Sequence, residues 1–260
     1  MASVIEFDRV ALRHPAAKAP VLSNLSLAIE AGSFVSIVGG SGVGKSTLLR
    51  AAAGLLPAES GAVVSLAASR PDQRSRAFVF QDSRLLPWRT VSQNVALGLK
   101  GLALDRATAR RRVADALALT GLADFGDRWP HQLSGGQAQR VGIARALAVE
   151  PTVLLMDEPF SAVDAITRQR LQEELAAIWQ ASGAAVIFVT HDIAEAVYLG
   201  DRVVVLADAP ARIVADIEIA QPRPRYREDP AFAALASRAA SYLDGASGEP
   251  TPCARAAIRS

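Results

Sequence analysis

The chain holds 260 residues, half of them hydrophobic, 5% aromatic and 21% charged, a globular composition with length for one large domain or two modest ones. Twenty-eight Lys and Arg against 26 Asp and Glu leave a formal charge of only +2, which argues against nucleic acid as a partner. The longest run without charged residues, Leu175 to His191, carries Gln180, Ser182, Gly183 and Thr190 and is too short for the ~20 apolar residues of a spanning helix.

Val4 to Leu12 and Leu25 to Ile29 read as strands, with a turn-prone break at His14-Pro15 and Lys18 to Pro20. Phe34 to Val38 is a short apolar run ending in glycines, and Ser46 to Leu56 has helical composition. Ala62 to Leu66 and Ala77 to Phe80 add strands. Gln81 to Pro130 then reads as mostly helical, most clearly from Asp105 to Thr120, and residues 82–148 are expected to form a helical insertion. Val153 to Met156, Ala185 to Thr190 and Val203 to Leu206 read as buried parallel strands, separated by helices over 164–181 and 192–199. This alternation predicts an α/β domain with a covered parallel sheet. Pro222-Arg223-Pro224-Arg225 breaks regular structure, a short helix is expected over 230–244, and 245–260 reads as a frayed tail. There is no internal repeat and no low-complexity block.

Gly39-Gly40-Ser41-Gly42-Val43-Gly44-Lys45-Ser46 has a glycine, four residues, then Gly-Lys-Ser, between a strand and a helix. Glycines let backbone amides wrap a phosphate chain, and the helix N-terminus favours anions. Lys45 is then placed against the β- and γ-phosphates and Ser46 against Mg²⁺, with Thr47 next in the binding segment. Lys45 is one of three lysines, with Lys18 and Lys100, among 25 arginines; a compact ammonium suits a narrow phosphate loop. The apolar strand Val153 to Met156 ends in Asp157 and Glu158. Beside such a loop, Asp157 is placed to hold Mg²⁺ and Glu158 to act as base on attacking water. Leu133-Ser134-Gly135-Gly136-Gln137 precedes a helical stretch, Ala138 to Val149, which puts Ser134 and the glycines at a helix N-terminus with free amides.

A phosphate loop with an acidic strand end occurs in nucleotidases, kinases and motor ATPases alike. Leu133 to Gln137, followed by Arg140-Val141-Gly142-Ile143-Ala144-Arg145-Ala146-Leu147 and then Asp157, resembles the signature of the ATP-binding subunit of ATP-binding cassette (ABC) transporters. Phe80-Gln81-Asp82 resembles that family's Q-loop, Ser161-Ala162-Val163-Asp164 its D-loop (with Val163 where Leu is usual), and Thr190-His191-Asp192 its switch-histidine segment. The resemblance covers residues 4–244 and implies one P-loop ATPase domain over 1–244. Its parts would be a parallel or mixed sheet core with an antiparallel β subdomain (1–81 and 149–220) and a helical subdomain (82–148).

The same resemblance implies ATP and Mg²⁺ as cofactors and a nucleotide sandwiched between two copies of the chain. Residues Gly39 to Thr47 of one copy would hold the phosphates, while Ser134, Gly135, Gly136 and Gln137 of the other cap the γ-phosphate. Glu158, His191 and Gln81 form the implied catalytic set; Ser46, Gln81 and Asp157 are the implied metal ligands; Asp164 would link the two sites. Where the family places an aromatic residue to stack on adenine, this chain has His14, whose smaller ring can stack with less area.

Leu85 to Val91, Asn94 to Leu99, Arg128 to Gln132 and Pro222 to Arg225 resemble the importer branch for nitrate, aliphatic sulfonates and taurine. That implies a homodimer beneath two transmembrane permease subunits, fed by a periplasmic or lipid-anchored solute-binding protein, on the cytoplasmic face of the inner membrane. The first residues lack the basic start and apolar core of a signal peptide, and the single Cys253 closes no internal disulfide. An exporter shares the same core. A DNA-repair type ATPase would carry long coiled coils between Lys45 and Asp157, and none is present; a nucleotide kinase has no use for Leu133 to Gln137. Trp88 reads either as an interface anchor or as a core residue of the insertion. Arg110-Arg111-Arg112 and the set Arg223, Arg225 and Arg227 read as solvated, with permease loops or anionic lipid as alternatives for the second set.

Overall fold

The computed structural model describes residues 2–14, 18–65, 70–161 and 163–245. Pro15, Leu66, Ala162 and the expected tail beyond Gly245, Cys253 included, lie outside the described residues.

Strand β1 (Ser3–Leu12) alternates buried and exposed side chains and pairs antiparallel with β2 (Leu22–Glu30) and with β4 (Ser60–Ser65), giving a three-stranded sheet. The larger sheet contains β3 (Phe34–Gly39), β5 (Arg76–Val79), β6 (Val153–Asp157), β7 (Ala185–Thr190), β8 (Arg202–Ala207) and β9 (Arg212–Glu218), in the order β5-β6-β7-β3-β8-β9. The first five are parallel and β9 closes the edge antiparallel to β8. Every residue of β3 and β7 is buried, which their unbroken apolar runs require of a sheet covered on both faces.

Helix α1 (Lys45–Ala52) packs between the two sheets, with Leu48 and Leu49 against Ile37, Ile187 and Ile5. On the opposite face lie α4 (Gly135–Leu147) and α5 (Ala165–Ser182), around Phe34, Phe160 and Phe188. Phe34 meets the edge of Trp179 at 5.5 Å. The inserted segment has its own core from α2 (Val91–Ala96), α3 (Arg106–Leu119) and α4. Finally, α6 (Ile193–Leu199) and α7 (Pro230–Gly245) cover β8 around Val197, Phe232 and Ala239.

The structure corrects the sequence reading in four places. Strand β9 was not foreseen, because its charged residues and lone edge position blur the alternation. The start of the insertion is an ordered loop, not a helix: buried Asn94 accepts from the amide of Leu86 at 2.7 Å and donates to the carbonyls of Leu86 and Arg89. Arg112 is buried rather than solvated; it donates to the Asp72 carbonyl at 2.5 Å and pairs with Glu150 at 2.8 Å.

The fourth concerns the arginines between β9 and α7. Arg225 is 4% exposed, and its guanidinium donates to the carbonyls of Val197 (2.8 Å) and Gly200 (2.6 Å) at the end of α6. Burial first, and the nearby Arg223 second, push its pKa down to about 10, so it stays charged at neutral pH. Arg223 donates to the Leu199 carbonyl and lies 4.5 Å from the centre of the Trp179 ring. A cation over the last carbonyls of a helix satisfies acceptors that the helix itself cannot, and it complements the helix dipole. Replacing Arg225 by Met leaves those carbonyls without donors, so R225M should lose about 3 kcal/mol of stability in urea unfolding; a wild-type midpoint would contradict this role.

Candidate functional site

The parallel register sets the C-terminal ends of β3, β6 and β7 side by side: Val38 lies opposite Thr190, and Asp157 opposite Val189. Each motif sits just beyond one of these ends. The loop after β3 depends on two glycines. A Cβ on Gly39 would stand 2.6 Å from the Leu206 carbonyl oxygen of β8, and Gly44 has φ +107° with Leu22 Cδ1 2.9 Å from where a Cβ would point.

Lys45, 5% exposed, folds back so that its Nζ donates to the carbonyls of Gly39 (2.8 Å) and Gly40 (2.9 Å). Nζ also stands 4.0 Å from Glu158 Oε1. Burial lowers the Lys45 pKa, and the charges of Glu158 and Asp157 oppose that shift. Ser46 Oγ donates to Asp157 Oδ1 at 2.9 Å. Burial raises the Asp157 pKa above its ordinary 3.8, the Ser46 hydrogen bond pulls it down, and the Glu158 charge raises it further. Thr47 is buried behind them.

Glu158 takes φ +43°, rare for a residue with a side chain. Its amide donates to the Val189 carbonyl at 2.9 Å, while its own carbonyl accepts from Ser161 Oγ at 3.0 Å. This turn aims the carboxylate between Lys45 and His191, whose Nδ1 lies 2.9 Å from Glu158 Oε2. His14, Lys45, Ser46, Thr47, Arg50 and Glu158 line a cleft of about 490 Å³ over the loop.

Ser46 and Asp157 offer two hard oxygens side by side, a set that suits Mg²⁺ with its remaining positions filled by phosphate and water. Among the described residues no cluster of three or more His, Cys, Asp or Glu could hold a metal by itself. Gln81 is exposed just beyond β5. Its loop is tied to α4, through Gln139 to the Phe80 carbonyl (3.2 Å) and Arg145 to those of Ser83 (2.6 Å) and Arg84 (3.1 Å).

Ser134 caps α4 reciprocally. The Gln137 amide donates to Ser134 Oγ at 3.3 Å, and the Ser134 amide donates to Gln137 Oε1 at 2.9 Å. Among the described residues no hydrogen bond or ion pair joins Ser134, Gly135, Gly136 or Gln137 to the loop at 39–47. Asp164 caps α5, accepting from the Thr167 amide at 3.0 Å, which lowers its pKa. Sequence reasoning missed Arg50 in the cleft wall and Glu195, whose carboxylate is buried beside Thr190. Only the position of Arg50 one turn beyond Ser46 could have signalled the first.

Residues 22–161 match the family model described as ABC transporter. The chain belongs to the ABC transporter family. An aliphatic sulfonates import ATP-binding protein, SsuB 1 of Mesorhizobium japonicum, is 48% identical over 215 residues, which is 83% of this chain and 80% of that one. A taurine import ATP-binding protein, TauB of Pseudomonas entomophila, is 43% identical over 219 residues, 84% of each chain. Among solved structures, the dimeric post-hydrolysis state of the ATP-binding cassette MJ0796 with ADP and Pi superposes with a TM-score of 0.68 at 30% identity, covering 84% of this chain and 100% of the other. The six-stranded sheet, the antiparallel sheet and the inserted helices are thus those of an ABC cassette.

The raised pKa of Asp157 has a stability consequence. Above the ordinary carboxylate value the folded chain holds more protons than the unfolded one, so stability falls as pH rises through that window. In protein free of nucleotide and magnesium, Asp157→Asn should therefore melt higher at pH 7, by roughly 2 °C or more, with the gap closing toward pH 4. Equal melting at both pH values would contradict the burial cost.

Proposed function

We propose that this chain hydrolyses ATP to power import of a small solute, as a homodimer beneath two membrane permease subunits. The observation that carries this reading is the Glu158 carboxylate held between His191 (2.9 Å) and Lys45 (4.0 Å) beside the phosphate loop. The amides of Gly39 to Thr47 and the Lys45 ammonium bind the phosphate chain. Ser46 and Asp157 would hold Mg²⁺, with Gln81 as a further ligand or water contact; the ion would supply positive charge against the phosphates. Glu158 takes a proton from water as the water oxygen bonds to the γ-phosphorus and the bond to the bridging oxygen breaks, giving ADP and phosphate. His191 orients Glu158 and contacts the γ-phosphate. His14 stacks on adenine.

The γ-phosphate is capped by Ser134, Gly135, Gly136 and Gln137 of the second copy, and Asp164 couples the two sites. The dimeric form of the similar cassette supports this division, as does the lack of a hydrogen bond or ion pair between Ser134 and the loop among the described residues. The substrate class is a sulfonate, taurine, nitrate or related compound, because relatives are named as import subunits for aliphatic sulfonates, taurine and nitrate. Among the described residues no helix is long and apolar enough to cross a membrane, so the permease subunits form the passage. A solute-binding protein delivers to them, and the ATPase sits on the inner-membrane face toward the cytoplasm. Trp88, 69% exposed, is the anchor offered to the permease rather than a core residue.

Glu158→Gln should lower steady-state phosphate release by about 100-fold or more while an ATP-dependent dimer accumulates in light scattering. Turnover at the wild-type rate would remove Glu158 from the role of base.

A further inference from the structure

His191 presents a paradox of placement. Its side chain is 59% exposed, and its one hydrogen-bond partner among the described residues is Glu158. An exposed ring that must meet a carboxylate at a fixed distance is aimed by its backbone, and the backbone on both sides of His191 is held by the side chains of buried Thr190 and half-buried Asp192. Thr190 Oγ1 donates to Glu195 Oε2 at 2.6 Å and accepts from the Asp192 amide at 3.0 Å. Asp192 Oδ1 in turn accepts from the amides of Ala194 (2.8 Å) and Glu195 (3.2 Å), so the turn carrying His191 is closed on itself.

The chain of contacts continues away from the site. Glu195 Oε1 accepts from Gln172 Nε2 at 2.9 Å, and Gln172 Oε1 accepts from Arg227. Arg227 lies 3.9 Å from the centre of the Tyr198 ring. Thr190, Gln172 and Glu195 are all 6% exposed or less, yet both oxygens of Glu195 and both ends of the Gln172 amide have partners. A buried polar chain is costly when incomplete and fixes a single geometry when complete. Burial raises the Glu195 pKa, and the Thr190 hydrogen bond and the Arg168 charge oppose the shift. Arg168 also donates to the Val163 carbonyl at 2.9 Å, tying the residue before Asp164 to the same node.

The far end of the chain is the segment between β9 and α7, closed by a hydrogen bond from Gln221 Nε2 to Asp229 Oδ2 at 2.8 Å. Its Arg223 and Arg225 hold the carbonyl end of α6, and Arg227 reaches the other end through Gln172 and Glu195. The short helix behind His191 is thereby gripped at both ends by one strap.

We propose that Arg227, Gln172 and Glu195 are positioning residues that set the distance from His191 to Glu158, so that the strap at 221–229 governs the hydrolytic step without touching nucleotide. This rests on the reading of Glu158 and His191 given above. The test uses the full chain and measures kcat and KM for ATP, with melting of each variant as a control. Arg227→Met keeps the aliphatic stem over Tyr198 and removes the donor; Gln172→Leu removes the next link; Arg227→Lys keeps a donor. R227M and Q172L should lose about ten-fold in kcat, with KM changed less than about two-fold, while R227K retains most of the rate.

Added to His191→Ala, R227M should cost nothing further, because both act through one ring. Wild-type kcat in folded R227M, or a loss that adds in full to H191A, overturns the proposal; should Q172L fail to fold, half-buried Arg227 still decides it. If H191A itself turns over normally, the reading of His191 fails and this inference with it. Loss in H191A with full rates in R227M and Q172L sinks the inference alone.

Discussion

The neighbourship of β6, β7 and β3 in parallel register is the constraint from which the site follows. Three strands that end level with one another must release their chains at the same edge. Lys45 arrives from β3, Asp157 and Glu158 from β6, and His191 from β7. None of these side chains is near another in sequence except the two carboxylates. Shifting any strand by one residue would turn its terminal side chain to the other face of the sheet and dissolve the cluster.

The cluster is held together at a cost. A buried ammonium, two carboxylates and an imidazole occupy one end of an otherwise apolar sheet, and the two ammonium–carbonyl contacts exist because the loop folds back on itself. Asp157 is less acidic than in water and Glu158 sits in a left-handed backbone conformation. Such concentrations of desolvation and strain are characteristic of sites prepared to meet a ligand that supplies the missing charge. For an ABC cassette that ligand is ATP.

The glycine loop after β3 was legible because only glycine permits its backbone at Gly39 and Gly44. Strands β3, β6 and β7 were legible because full burial demands unbroken apolar runs. The capping role of Ser134 could be read from Ser134 and Gln137 alone. What stayed hidden depends on distant partners. Arg225 looks solvated in a run of prolines and arginines, and only the return of that run onto the end of α6, more than two dozen residues earlier in the chain, buries it. Glu195 and Gln172 meet through helices that the sequence treats as separate, and Arg112 finds Asp72 and Glu150 across the insertion boundary. Propensity speaks to neighbours along the chain; it is silent on where a long polar side chain will find its carbonyls.

The central claim is that the cluster at the strand ends is half of a shared site, completed by the Ser134 segment of a second copy. Mixing two inactive chains tests it most directly, one carrying Lys45→Ala and the other Ser134→Arg, each folded and each measured alone for phosphate release. A mixed dimer pairs the intact Lys45 of one with the intact Ser134 of the other, so the mixture should regain turnover that neither chain has by itself. A mixture no more active than the sum of its parts would contradict the shared site.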